Sequence, residues 1–181
     1  MYRKFSVILC IFVVVILHFT NSYPVDNERA NLDKKSASDE AFKRQNDDSA
    51  NSPDLKKFKN SAQDINDMTK MINDIRRAAK KSALKYSESV AKAAYIQAQY
   101  MNTSKKMTHD NPIYKSVGSR FVAAGSNCMS CAENVAFNQN TVGEVMDAWK
   151  NSPGHYANII GEFSYYGFAK VGPYWSQTFK E

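Results

Sequence analysis

The segment Ser164-Tyr165-Tyr166-Gly167-Phe168-Ala169-Lys170-Val171-Gly172-Pro173-Tyr174-Trp175-Ser176-Gln177-Thr178-Phe179 decides the fold. Two aromatic and β-branched runs flank a Gly-Pro pair, which is the pattern of an antiparallel hairpin. Upstream the period changes from two to about 3.6. Ile65, Met68, Ile72, Ile75 and Ala79 recur at helical spacing behind Ser61 and Asp64, a side-chain acceptor and an acid suited to a helix start. Arg76, Arg77, Lys80 and Lys81 crowd the far end, where cations suit the helix dipole. A second helix is expected over about 87–101, with Val90, Ala94, Ala98 and Met101 on one close-packing face. A third is expected over about 142–150, capped by Thr141 and Glu144, striped by Val142, Val145, Met146 and Trp149, and broken by Ser152-Pro153-Gly154. The run 121–124 predicts one more strand. Helices first and a hairpin last imply a single α+β domain over 63–181, large enough for a real core.

The chain opens differently. Arg3 and Lys4 precede an apolar run that ends near Phe19, followed by Thr20-Asn21-Ser22. A basic head, a short apolar middle and small polar residues form a secretory signal peptide, expected over 1–22. The apolar run is shorter than the ~20 residues of a spanning helix, so no stable membrane insertion is expected once the leader is gone. Net charge is +6, and loss of Arg3 and Lys4 lowers it by two. Mild basicity without interleaved aromatics, together with export, argues against nucleic acid as a partner. Residues 23–62 carry basic and acidic groups in equal number and show no apolar period. They are expected to be a disordered polar segment or a pro-region.

Cys10 leaves with the leader, and Cys128-Met129-Ser130-Cys131 remains. In an oxidising compartment two cysteines this close are expected to form a local disulfide. A thioredoxin-like pair would need a strand-to-helix context that this stretch lacks, and zinc would need more ligands nearby. Asn102-Thr103-Ser104 is a glycosylation sequon in an exported chain, expected just past the second helix.

Four pieces appear in order: Met107-Thr108-His109; Ala132-Glu133-Asn134-Val135-Ala136; Trp149 followed by Ser152-Pro153-Gly154-His155-Tyr156-Ala157-Asn158-Ile159; and Tyr174-Trp175-Ser176-Gln177-Thr178-Phe179. Together they resemble the CAP superfamily of cysteine-rich secretory proteins, insect venom antigens and plant pathogenesis-related proteins, in its compact Ser-Pro-Gly-His form. The resemblance spans about 63–180. It implies an α–β–α sandwich with a small antiparallel sheet between helical layers. It also implies a cleft lined by two histidines and two acids, matched here by His109, His155 and Glu133. The second acid of the family falls on Ser152, so the tetrad is incomplete.

Two neutral imidazoles are candidate ligands for zinc or another divalent metal, with Glu133 hydrogen-bonding a metal-bound water or a ring nitrogen. The alternative is structural: His155, Glu133 and Asn158 fix the cleft through hydrogen bonds. The resemblance implies a secreted protein that acts by binding a lipid or sterol, or an extracellular protein partner, with no firm cofactor and no catalysis by default. The competing enzymatic expectation is a metal-dependent, protease-like hydrolase using His109, His155 and Glu133. Trp149, Trp175 and Phe179 are expected in the core.

Overall fold

A computed structural model describes residues 53–181. The expected leader, Cys10 and the 23–52 part of the polar segment lie outside the described residues. Helix α1 is Pro53–Lys57, α2 Ala62–Ala78, α3 Glu88–Ser104, α4 Val117–Ala123, α5 Val142–Lys150 and α6 Pro153–Ile159. Strands are β1 Lys85–Tyr86, β2 Cys131–Phe137, β3 Tyr165–Val171 and β4 Tyr174–Lys180. They form one sheet in the order β1-β3-β4-β2. The hairpin β3–β4 is its centre, with Tyr165 opposite Lys180 and Val171 opposite Tyr174. β2 runs antiparallel to β4, and the two-residue β1 runs parallel to β3.

Strand alternation sorts the hairpin onto two layers. One face presents Tyr166, Phe168, Trp175 and Phe179 to Met68 and Ile72 of α2, Val145, Met146 and Trp149 of α5, and Ile159 of α6, all within one buried cluster. The other face is made of small residues. Ala169 packs on Ala94 and Ala98 of α3, and the Thr178 hydroxyl donates to the Val90 carbonyl at 2.9 Å. At Gly167 a Cβ would lie 2.1 Å from the Ala91 backbone nitrogen, so only glycine lets α3 settle this close to β3. The small residues of α3 thus serve close approach, and the α–β–α layering follows.

Arg76 ties the second layer together. It is buried, and its Nε donates to the Ser82 carbonyl (2.6 Å) while Nη1 donates to those of Ile159 (2.7 Å) and Gly161 (2.8 Å). One side chain satisfies a carbonyl of the loop between α2 and β1 and two at the end of α6, and its burial lowers its pKa.

Two expectations need correction and one needs extending. Residues 121–124 do not form a strand. Ser116 and Ser119 make a reciprocal capping box that starts α4, and Phe121 packs from it onto Val90 and Ala93. Ser152-Pro153-Gly154 ends α5 but also opens α6, with Pro153 in the first turn, where its missing N–H costs nothing. The polar segment does not extend to 62 without structure. Leu55 of α1 is buried, Phe58 stacks on Tyr95 at 4.4 Å, and Asn60 Nδ2 donates to the Phe168 carbonyl at 2.7 Å. Each of these apolar or polar anchors has a specific receptor on α3 or β3, which composition alone does not reveal.

Replacing Gly167 with Ala should cost about 3 kcal/mol or more, or prevent folding, because the clash is with backbone that cannot turn away. Urea unfolding measures the loss; a Gly167→Ala chain of unchanged midpoint would show that α3 and β3 can separate freely.

Candidate functional site

β2 carries Glu133 into the interior beside β4. Its carboxylate is buried, and both oxygens are engaged. Oε2 accepts from Arg120 Nη2 at 2.7 Å and from the Ser176 hydroxyl at 3.4 Å, and Oε1 lies 3.0 Å from His109 Nδ1. Arg120 comes from α4 and is equally buried, and its Nη1 donates to the Tyr114 carbonyl at 3.2 Å. A buried carboxylate facing a guanidinium is tolerated because the pair is hydrogen-bonded on both sides.

His109 sits in the loop after α3. The loop is held by Gln97, a fully buried amide on the apolar stripe of α3, whose Nε2 donates to the Thr108 carbonyl at 2.6 Å. Asn111 Nδ2 donates back to Gln97 Oε1 at 3.3 Å, and Asn111 Oδ1 accepts from the backbone of Ile113 and Tyr114 at 3.0 Å each. Gln97, Asn111, Arg120 and Ser176 were not singled out from sequence. Gln97 left a signal, because a polar residue stands where the apolar stripe of α3 requires burial.

His155 lies in the first turn of α6, half-buried. Asn134 Nδ2 donates to its carbonyl at 3.2 Å and to Gln177 Oε1 at 3.1 Å. Asn158 Nδ2 donates to the Glu133 carbonyl at 3.2 Å and to Asn134 Oδ1 at 2.8 Å. A chain of amides therefore fastens α6 to β2. Ser152 is the cap residue of α6, with no side-chain capping bond, and its carbonyl accepts from Tyr156 N at 2.8 Å.

The two imidazoles are driven apart electrically. The hydrogen bond to Glu133 raises the pKa of His109, and burial lowers that of His155, with the charge of His109 adding to the depression. They are therefore close enough to feel each other. His109 therefore holds its proton to higher pH than His155 does. For His109, stability from the Glu133 pairing is fully present below the unfolded value and is lost as pH rises through the raised folded value. For His155 the sign reverses, and stability falls as pH drops through the depressed folded value.

Among the described residues, no group of three or more His, Cys, Asp or Glu comes together as metal ligands. The donor set fits a resident zinc poorly. It offers two imidazoles, and the carboxylate oxygens are already taken by Arg120 and His109.

The Cys128–Cys131 disulfide is present and closes the turn into β2, packed against the α3–α4 contact. Asn102 lies in the last turn of α3 rather than past it. Its side chain rests against Gly172 of the hairpin turn, where φ is +56° and a Cβ would meet its Oδ1 at 2.5 Å. A glycan there would require this carboxamide to swing outward.

Substituting Arg120 by Met should cost about 3–5 kcal/mol in chemical denaturation, since it strands a buried carboxylate, whereas Arg120→Met with Glu133→Leu should cost less than Arg120→Met alone. Equal costs would mean that the pair carries no mutual stabilisation. In NMR titrations of the leader-free chain, His109 should titrate above and His155 below the ordinary imidazole value. Glu133→Gln should bring His109 down, and His109→Ala should let His155 rise. Superimposed titrations of the two rings would contradict this electrostatic layout.

The chain is similar in sequence and in fold to known proteins. The chain is 32% identical over 99 residues to the uncharacterized protein YkwD of Bacillus subtilis, covering 53% of this chain but only 38% of that protein. In fold it is similar to an extracellular SCP-domain protein of Bacillus anthracis (TM-score 0.62, 22% identity, 66% of this chain and 40% of that one). It is also similar to an outer surface protein of Borrelia burgdorferi (TM-score 0.59, 17% identity, 67% and 94%). The model of the cysteine-rich secretory protein family, CAP, matches residues 69–176, which take in His109, Glu133, His155 and most of the sheet, and the chain belongs to that family.

Proposed function

We propose that this protein is exported and acts by binding a lipid, a fatty acid or a sterol, in an apolar groove along α3. The observation that carries this reading is a groove of about 240 Å³ lined by Tyr95, Ile96 and Tyr100 of α3, Leu55 of α1, and Ile113 and Tyr114 of the loop that also bears His109. Aromatic and aliphatic walls with a few polar groups, here Gln99, Thr103 and Asn111, are the usual lining of a small-molecule site.

The Glu133 network is bonded to one side of this groove. Arg120 grips Glu133 with one nitrogen and the Tyr114 carbonyl with another, and Glu133 holds His109. These hydrogen bonds therefore also set one wall of the groove. Glu133, with both oxygens bonded, acts here as an anchor rather than a free base. Export is supported by the signal-like leader and by relatives described as extracellular and outer surface proteins. Among the described residues no helix is long and apolar enough to cross a membrane.

Radiolabelled palmitate and cholesterol, titrated separately into the leader-free chain, should show saturable binding for at least one of them. Ile96→Glu should weaken it at least about tenfold without lowering the melting temperature, because a charge in the groove opposes apolar burial. The double change His109→Ala, His155→Ala should weaken it less than Ile96→Glu does. Absence of saturable binding for both lipids would remove the lipid reading and leave an extracellular protein as the expected partner.

A further inference from the structure

Helix α1 has one deeply buried described side chain, and that side chain stands between two cavities. Leu55 is 5% exposed, while Asp54, Lys56 and Lys57 around it are exposed. Leu55 lines the groove of about 240 Å³ described above, and it also lines a second cavity of about 160 Å³ with Lys92, Val122 and Gly125. The α3 residues of the two cavities follow one another along a single helical stripe, Lys92, Ile96, Gln99 and Thr103, at the spacing of one face. The stripe spans roughly 16 Å at 1.5 Å per residue. Leu55 is the one residue that lines both cavities.

α1 is poorly defended. A five-residue helix has no stability of its own, so the packing of Leu55 must hold it, and such a segment opens at low cost. Directly after Leu55 comes the exposed dibasic pair Lys56-Lys57. Directly after the pair the chain is anchored again: Phe58 stacks on Tyr95, and Asn60 donates to the Phe168 carbonyl and, at 3.2 Å, to the Tyr86 hydroxyl. Other dibasic pairs among the described residues are better protected. Arg76-Arg77 lies inside α2 with the Arg76 guanidinium on backbone carbonyls, Lys81 is paired with Glu162, and Lys106 N donates to the Met101 carbonyl at the end of α3.

We propose that α1 is a removable plug, and that cleavage of the Lys57–Phe58 bond by a dibasic-specific endoprotease joins the two cavities into one trough for a long-chain fatty acid. This rests on the lipid-binding reading above. The step is hydrolysis of one amide: water adds to the Lys57 carbonyl, the C–N bond breaks, and a carboxylate on Lys57 and an amine on Phe58 result. The upstream segment then leaves with Leu55, while Phe58 and Asn60 keep the new end docked. In the opened trough the acyl tail lies along Ile96 and Tyr100. The carboxylate head meets Lys92, whose ammonium is otherwise 3.3 Å from the Glu88 carboxylate in a partly exposed pair that a ligand can replace.

The test uses the leader-free chain. Brief exposure to a dibasic-specific endoprotease, read by mass spectrometry, should yield Phe58 as the first new N-terminus within residues 53–181. A fluorescent C16 fatty acid is then titrated into the cut protein, into uncut Lys57→Gln, and into uncut Leu55→Ala. Cut protein and Leu55→Ala should both bind on the order of tenfold more tightly than Lys57→Gln, the gain expected when a ligand no longer competes with a buried leucine. Equal affinity in all three overturns the plug and leaves the groove reading standing. No binding in any form overturns the groove reading and the plug together. A first cut after Arg77 or Lys106 overturns the assignment of the processing site.

Discussion

Glu133 is the constraint around which the rest is arranged. A carboxylate taken from water into a protein interior must be matched by charge and by hydrogen bonds, or the fold cannot hold it. Here the match comes from three separate parts of the chain: Arg120 on α4, Ser176 on β4 and His109 in the loop after α3. None of these can move without exposing the others to an unpaired charge. The demand made by one acid therefore fixes where α4 sits, how the loop after α3 closes, and which side of β2 faces inward. The amide chain from Asn134 to Asn158, Gln177 and the His155 carbonyl does the same for α6.

This arrangement places groove-lining and fold-holding roles on different atoms of the same loop. Thr108 and Asp110 give their carbonyls to Gln97, His109 gives its Nδ1 to Glu133, and Tyr114 gives its carbonyl to Arg120. The half-buried Ile113 and the buried Tyr114 ring line the α3 groove. The remaining His109 ring surface is largely exposed. Its electrical asymmetry with His155 follows from the same cause, since one ring has the acid as a neighbour and the other has only burial and a nearby cation.

Much of the fold was legible in the sequence, because apolar periodicity records burial directly. The stripes of α2 and α5 and the alternation of the hairpin are each a readable consequence of one face meeting the core. The four motif pieces likewise brought His109, Glu133 and His155 into one family pattern, although His109 and His155 are 46 positions apart. What stayed hidden was of two kinds. Buried polar residues carry no apolar signal, so Arg120, Asn111 and Ser176 could not be told from surface residues. Gln97 and Gln177 are intermediate cases: each interrupts a buried stripe, one on α3 and one between Trp175 and Phe179, and such an interruption marks a hydrogen-bonded core amide. The second kind is the short element. Residues 121–124 were too few to separate strand from helix by period, and the serine box that decides the matter lies upstream of them.

Leu55 shows why a lone apolar residue in a charged segment can still matter. Averaged over 23–62, the composition predicts no burial, since the segment holds few apolar residues and none at a regular spacing. A single leucine, however, needs only one receptor, and the outer face of α3 supplies it between Lys92 and Tyr95. The cost of ordering five residues is then set against the burial of one side chain, a narrow balance. A contact this weak suits regulation better than stability, because small changes in the chain on either side of it decide whether the groove on α3 is divided or continuous.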